Sequence, residues 1–215
     1  ALLMSQTGGG CRASNYVFLI RKALKKAGLD HVPVLALDLG SAGMGGGFKL
    51  TLPMVKKLLV AVTYGDALML LNNQVKPYEV NKGESENLVN YWIKFLGQQF
   101  RKGKSYGIRQ IQRNLQRMVT SFENIKRLKE EKIKVGIVGE IYVKYSPLGN
   151  NHLEDFLAEE DCEVMLPSLM GFLMYSLNNK IEDINLYGGS RVIKSAFNTL
   201  LKYLSIYEKA VIRAV

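Results

Sequence analysis

In QTGGGCRASNY, residues 6–16, three glycines lead into a cysteine and an arginine. Gly8, Gly9 and Gly10 permit backbone conformations that a side chain forbids, and they let N–H groups converge on an anion, a thiolate or a cluster sulfide. Cys11 and Arg12 follow where a helical pattern begins. The local dipole there lowers a thiol pKa and favours the thiolate, the form that binds iron or zinc. Cys11 therefore reads as a metal ligand, a reactive thiol, or a small residue in a tight turn. For a single cysteine, spacing favours the packing role.

A second group lies in residues 139–151, which offer Gly139, Glu140, Tyr142, Lys144, Tyr145, Asn150 and Asn151. A carboxylate beside two tyrosines can orient a substrate. It can equally cap a helix and fill an interface, and the structural reading is slightly ahead. His31, just before a strand, and His152, at a helix start, each read as a surface or capping residue rather than a ligand, and Cys162 as a small packing residue. Glu79, in PYEVNKGE, is an interface residue or part of a solvated turn. There is no G-x-G-x-x-G, and the glycine-rich GSAGMGGGF lacks the lysine and helix of a phosphate-binding P-loop.

Positioning these groups requires strands that end in the two loops. Leu2, Leu3 and Met4 form a short apolar run, and Val17, Ile20, Leu24 and Ala27 recur at helical spacing with Gly28 as the stop. VPVLALDL then has the pattern of a buried strand, which completes a βαβ unit. KVGIVGE and CEVMLP flank a short helix carrying Leu153, Phe156 and Leu157, which gives a second βαβ unit. Ligands gather at the carboxyl ends of strands in open α/β sheets, and both loops lie at such ends.

Between the units, long helices are expected. One starts at Thr51 or Leu52 with Pro53 in its first turn and stops by Pro77. The next carries Leu88, Trp92, Leu96 and Phe100, with Ser85 as a cap. A third carries Ile108, Ile111, Leu115, Met118 and Phe122, with Arg109, Arg113 and Arg117 on a separate, solvated face. Polar helices then lead into a final helix from about Arg191. The expected fold class is α/β: two Rossmann-like lobes with parallel strands, bridged by long helices. The expected divisions are 1–50 as part of the first lobe, 51–133 as a helical connection, and 134–215 as the second lobe with a C-terminal helix.

The 215 residues are 47% hydrophobic and 22% charged, which places the chain among ordinary globular proteins. No stretch reaches the roughly 18 apolar residues that span a bilayer. The nearest, 58–71, is broken by Gly65 and Asp66, so no membrane partner is expected. Two distant cysteines make no disulfide framework, and the first residues do not read as a basic-then-apolar leader, so a reducing, cytoplasmic setting is expected. The net charge of +10 fits a solvated basic surface, a phosphate-bearing ligand such as a coenzyme A tail, or nucleic acid. No aromatic–basic nucleic-acid module is present, so no nucleic-acid partner is expected. The first residue is not Met, and a piece of a longer protein is expected.

QTGGGCRASNY, KPYEVNKGE and KVGIVGEIYVKYSPLGNNHLEDFL together resemble the C-terminal region of large bacterial proteins called activators of 2-hydroxyacyl-CoA dehydratase, or CoA-substrate-specific enzyme activases. That region is similar to the D-component of 2-hydroxyglutaryl-CoA dehydratase, and the resemblance covers nearly all of the chain. It implies ATPase domains upstream in the same chain that bind ATP, and low-potential electron transfer through iron–sulfur clusters to or within 2-hydroxyacyl-CoA dehydratase chemistry in anaerobic bacteria. It also implies a dehydratase as a partner, and Cys11 as a residue that touches or ligates the cluster.

The family's sites use about three cysteines per subunit, and this chain has two. By itself it is therefore expected to be inactive, with the cluster absent or incomplete. Two other roles remain open at this point. One is a non-catalytic module that docks the ATPase domains, and the other is a CoA-binding domain.

Overall fold

The computed structural model describes residues 1–6, 12–38 and 51–214. The chain divides into two compact units, Ala1–Met54 and Val55–Val215.

In the first unit, strand β1 (Leu2–Gln6) pairs in parallel with β2 (Val34–Asp38), from Leu2 opposite Val34 to Gln6 opposite Asp38. Parallel neighbours need a crossover, and a 3₁₀ turn at Arg12–Asn15 followed by helix α1 (Tyr16–Lys26) supplies it. Val17 is the buried anchor of α1. Lys25 and Lys26 sit at its negative end. Gly28 then takes φ +71°, the left-handed conformation that ends a helix.

The second unit begins within α2 (Leu52–Val75), which a 3₁₀ turn at Lys76–Tyr78 terminates because Pro77 cannot continue the ladder. α3 (Glu84–Arg101) and α4 (Ile108–Glu123) follow. Next come β3 (Lys134–Gly136), three short helices, α5 (Ile141–Tyr145), α6 (Pro147–Asn150) and α7 (Leu153–Glu159), and then β4 (Glu163–Met165). β3 and β4 are parallel, with Val135 opposite Val164. α8 (Leu169–Tyr187) and α9 (Arg191–Ile212) complete the unit.

The core of this unit is made by helices. Val60, Tyr64 and Leu71 of α2, Trp92 and Leu96 of α3, Ile111, Leu115, Met118 and Phe122 of α4, and Leu204 and Tyr207 of α9 form one buried cluster. The three- and four-residue spacing on α4 puts its four side chains on a single face, which packing on several sides then buries. Beside β3 and β4 there is only a small second cluster of Ile137, Val164 and Leu166.

This corrects the expected fold class. The described residues are mostly helical with two small two-stranded parallel sheets, and they do not form a pair of Rossmann-like α/β lobes bridged by helices. The parallel pairs and their crossovers exist, but β3 and β4 are three residues long. Val138 and Met165, which the apolar runs placed in buried strands, are largely exposed. Two short strands bury too little to form a core of their own. The helices 52–123, expected to be connectors, instead hold the main core. Among the described residues no helix is long and apolar enough to cross a membrane.

Tyr64 is locked into this core by polar contacts. Its hydroxyl donates to the Ser105 carbonyl at 3.0 Å and accepts from Asn114 Nδ2 at 3.0 Å, both buried. Burial pushes the phenol up to about 12, against the Asn114 hydrogen bond. Tyr64→Phe leaves the Asn114 amide without this acceptor, and the expected cost is about 1–3 kcal/mol. Chemical denaturation followed by Trp92 fluorescence measures it. An unchanged midpoint would show that the Asn114 amide finds another partner.

Candidate functional site

Gly8, Gly9, Gly10 and Cys11 lie outside the described residues, as does the side chain of Arg12. What is described is where the motif attaches: it follows β1, which ends at Gln6, and it precedes the 3₁₀ turn that starts at Arg12.

The second loop is described in full. Gly139 takes φ +137°, and Glu140 caps α5 by accepting the Tyr142 N–H at 2.9 Å. Ser146 caps α6 through the Gly149 N–H, and Pro147 opens that helix. A Cβ on Gly149 would stand 2.7 Å from Tyr142 Cε1, so the tyrosine ring packs where only glycine fits. The Asn150 side-chain oxygen accepts the Leu153 N–H at 3.2 Å, which satisfies a first-turn donor of α7. Asn151 and His152 both take left-handed φ values, +56° and +57°, to turn the chain between helices. The Tyr145 hydroxyl donates to the Pro167 carbonyl, and the Lys144 ammonium lies 5.2 Å from the Tyr145 ring centroid. Glu140, Tyr145, Asn150 and Asn151 therefore all serve local structure.

One of these residues, Asn150, reaches a polar hollow of about 170 Å³. His152, read from sequence as a surface or capping residue, and Cys162, read as a packing residue, line it too. The rest of the lining comes from residues that sequence reasoning missed: Asn72, Asn73 and Lys76 at the end of α2, Glu86 of α3, and Glu154 and Asp155 of α7. Asn72 and Lys76 are four apart on a helix and so share a face, which is the one sequence signal that could have linked them.

Lys76 Nζ sits 2.8 Å from both Glu86 and Asp155. Burial draws the lysine pKa down, but the hydrogen bonds to Asp155 and Glu86 outweigh it and hold it above its usual value. The same Lys76 contact holds the Asp155 carboxyl below the usual range. Asn73 Nδ2 donates to Glu154 at 2.9 Å, and the Cys162 thiol donates to the Glu160 carbonyl at 3.5 Å. Asn72 Oδ1 is buried and has no hydrogen-bond partner among the described residues. The cation is already matched by two carboxylates, so the hollow presents little net positive charge to an anion. Among the described residues no three His, Cys, Asp or Glu side chains are grouped to hold a metal ion.

A second hollow, about 220 Å³ and mainly apolar, lies at the carboxyl end of β4. Met69, Leu70, Met165, Met170, Val211 and Ile212 line it. Asp66 stands at its edge, but that carboxylate is already committed to the backbone of α8, accepting from Leu169 and Met170 at 2.8 Å each.

No family model matches the chain, and neither a curated protein nor a solved structure matches it.

Proposed function

We propose that this chain is the dehydratase-like region of an activase-type protein, acting in the cytoplasm in ATP-driven, low-potential electron transfer that serves 2-hydroxyacyl-CoA dehydratase chemistry. The ATPase domains upstream in the same protein bind the ATP, and a 2-hydroxyacyl-CoA dehydratase is the partner. The motif resemblance along nearly the whole chain supports this reading. The observation that carries it is the position of Cys11 in the chain, between the end of a parallel strand at Gln6 and the helical turn at Arg12. Strand carboxyl ends are where parallel α/β units hold ligands.

The residues present do not make a complete iron–sulfur site. A cubane cluster takes about four thiolates, and the chain has two cysteines. Cys162 donates its thiol hydrogen to a neighbouring carbonyl in the polar hollow. Cys11 is then at most one ligand of a set that other polypeptide completes.

In the full-length protein, purified without oxygen, Cys11→Ala is expected to lower bound iron and alter the visible absorption. Unchanged iron and spectrum would reject the reading. A second reading, a non-catalytic module that docks the ATPase domains, is favoured by one observation: Glu140, Ser146 and Asn150 of the 139–151 loop are spent on helix caps. Under that reading the Cys11→Ala protein keeps its iron and still activates the dehydratase.

A further inference from the structure

Residues 87–122 contain seven cationic side chains and no carboxylate. Lys94 and Arg101 lie on α3, Lys102 and Lys104 in the turn after it, and Arg109, Arg113 and Arg117 on α4. All seven are exposed, and among the described residues none of them makes an ion pair. The acid-rich segment 154–163 does not supply the missing partners. Its Asp155, Asp161 and Glu163 are already matched within the chain by Lys76, Lys132 and Lys134. The α3–α4 hairpin as a whole, 84–123, sets these seven cations against Glu84, Glu86 and Glu123, and Glu86 is already paired with Lys76, so the hairpin is net positive in a chain whose net charge is +10.

The geometry is ordered. Arg109, Arg113 and Arg117 are four apart on one helix, so they form a row with a repeat of about 6 Å. The Arg117 guanidinium is placed over the rings of Trp92 and Phe95, 5.5 Å from each centroid. Tyr91 stacks on Phe95, with centroids 6.3 Å apart and planes 15° from parallel, and its own side chain is half exposed. Ile93 and Ile108, each next to a cation in the chain, are also exposed. Arginine and tyrosine are the residue types on which protein interfaces concentrate their binding energy.

We propose that this hairpin is a docking surface for an acidic helix of a protein partner, one that presents carboxylates four residues apart. Such a row has the same repeat of about 6 Å, and each guanidinium can hold a carboxylate through two parallel N–H bonds. A protein partner also covers Tyr91, which stacks on the Phe95 ring beside Arg117 and which a phosphate backbone leaves wet. Binding a single nucleic-acid strand calls for successive aromatic platforms along the groove. Here Trp92 is buried, and Tyr91 is the one aromatic ring on α3 and α4 that is mostly exposed. The surface is independent of the function proposed above.

Trp92 is the only tryptophan in the chain and lies under Arg117, so its fluorescence reads occupancy of the surface. The probe is a synthetic helical peptide with glutamate at every fourth position and leucine beside it. The wild-type chain is expected to bind it, and to bind roughly tenfold more weakly in about 0.5 M salt than in dilute buffer. The double replacement Arg109→Glu and Arg113→Glu is expected to weaken binding at least tenfold, with unchanged circular dichroism. Lys202→Glu on the exposed face of α9 is the control, with binding unaltered. Absence of peptide binding in dilute buffer overturns the proposal, as does equal binding by the double variant. Tighter binding of a single-stranded oligonucleotide or of phosphatidylserine vesicles than of the peptide also overturns it and reassigns the surface to phosphates.

Discussion

Glu79→Ala is expected to lower the unfolding free energy by about 3–5 kcal/mol, because two backbone donors lose a charged acceptor inside the protein. The Glu79 side chain is 1% exposed. Its carboxylate accepts the N–H of Gly83 at 2.7 Å and the N–H of Ser85 as well. Gly83 is the residue that enters α3, with φ +93°, and Ser85 stands in the first turn. The acid therefore satisfies donors that no helix can satisfy by itself, and its charge faces the positive end of the helix dipole.

The backbone around Glu79 is also fixed. Val80 donates to the Lys126 carbonyl at 3.0 Å, and Leu128 donates to the Tyr78 carbonyl at 2.8 Å. The chain thus has little freedom to close over the gap left by alanine. Glu79→Gln retains one acceptor and turns an amide N–H toward the other donor, so a loss of roughly half that size is expected. Urea unfolding followed by Trp92 fluorescence measures both. A Glu79→Ala protein within about 1 kcal/mol of wild type would mean that water replaces the carboxylate.

Asp66→Ala is expected to cost about 2–4 kcal/mol by the same accounting of orphaned donors. Asp66, in the middle of α2, accepts the first two N–H groups of α8, from Leu169 and Met170 at 2.8 Å. It therefore ties together two helices that meet in the core and are about a hundred residues apart in the chain. Here pH gives a second readout. Burial raises the Asp66 carboxyl above its ordinary value of 3.8, against the lowering effect of the bonds from Met170 and Leu169. A carboxyl raised on folding holds its proton more tightly in the folded chain than in the unfolded one. Through the window that opens at 3.8, stability falls as pH rises, and it levels off above the folded value. Asp66→Asn does not titrate and lacks that slope. The stability of wild type relative to Asp66→Asn is expected to decline as pH rises through this window. A difference that grows in favour of wild type would show that the backbone bonds outweigh burial.

Much of the local structure was legible in the sequence. The start of α2 with Pro53 in its first turn, its stop at Pro77, the Gly28 terminator, the apolar face of α4 and the start of α9 at Arg191 all follow from propensity and periodicity. So do the strand positions in both crossover units. These signals are short-range, and a helix or turn answers to residues within about one turn of each other.

The fold class was misread because periodicity shows that a helix has an apolar face without showing what covers it. The faces of α2, α3 and α4 cover one another and α9, so segments expected to be connectors became the core. α8, read as polar, buries Met170 and Ile181. The two apolar runs read as buried strands of a lobe pair over only three residues each.

Tertiary structure alone decided the polar groups. By sequence Glu79 lies in a turn rich in charge, yet folding buries it against the start of α3. Lys76 meets Asp155 from 79 positions away, and Asp66 meets Leu169 from 103. The sequence points to Asn150 as a site residue and not to Asn72, which shares its hollow. A side chain's apolar character acts wherever it is buried and can be read along the chain. A hydrogen bond or ion pair needs a particular partner at about 3 Å, and which partner arrives is set by how the helices pack.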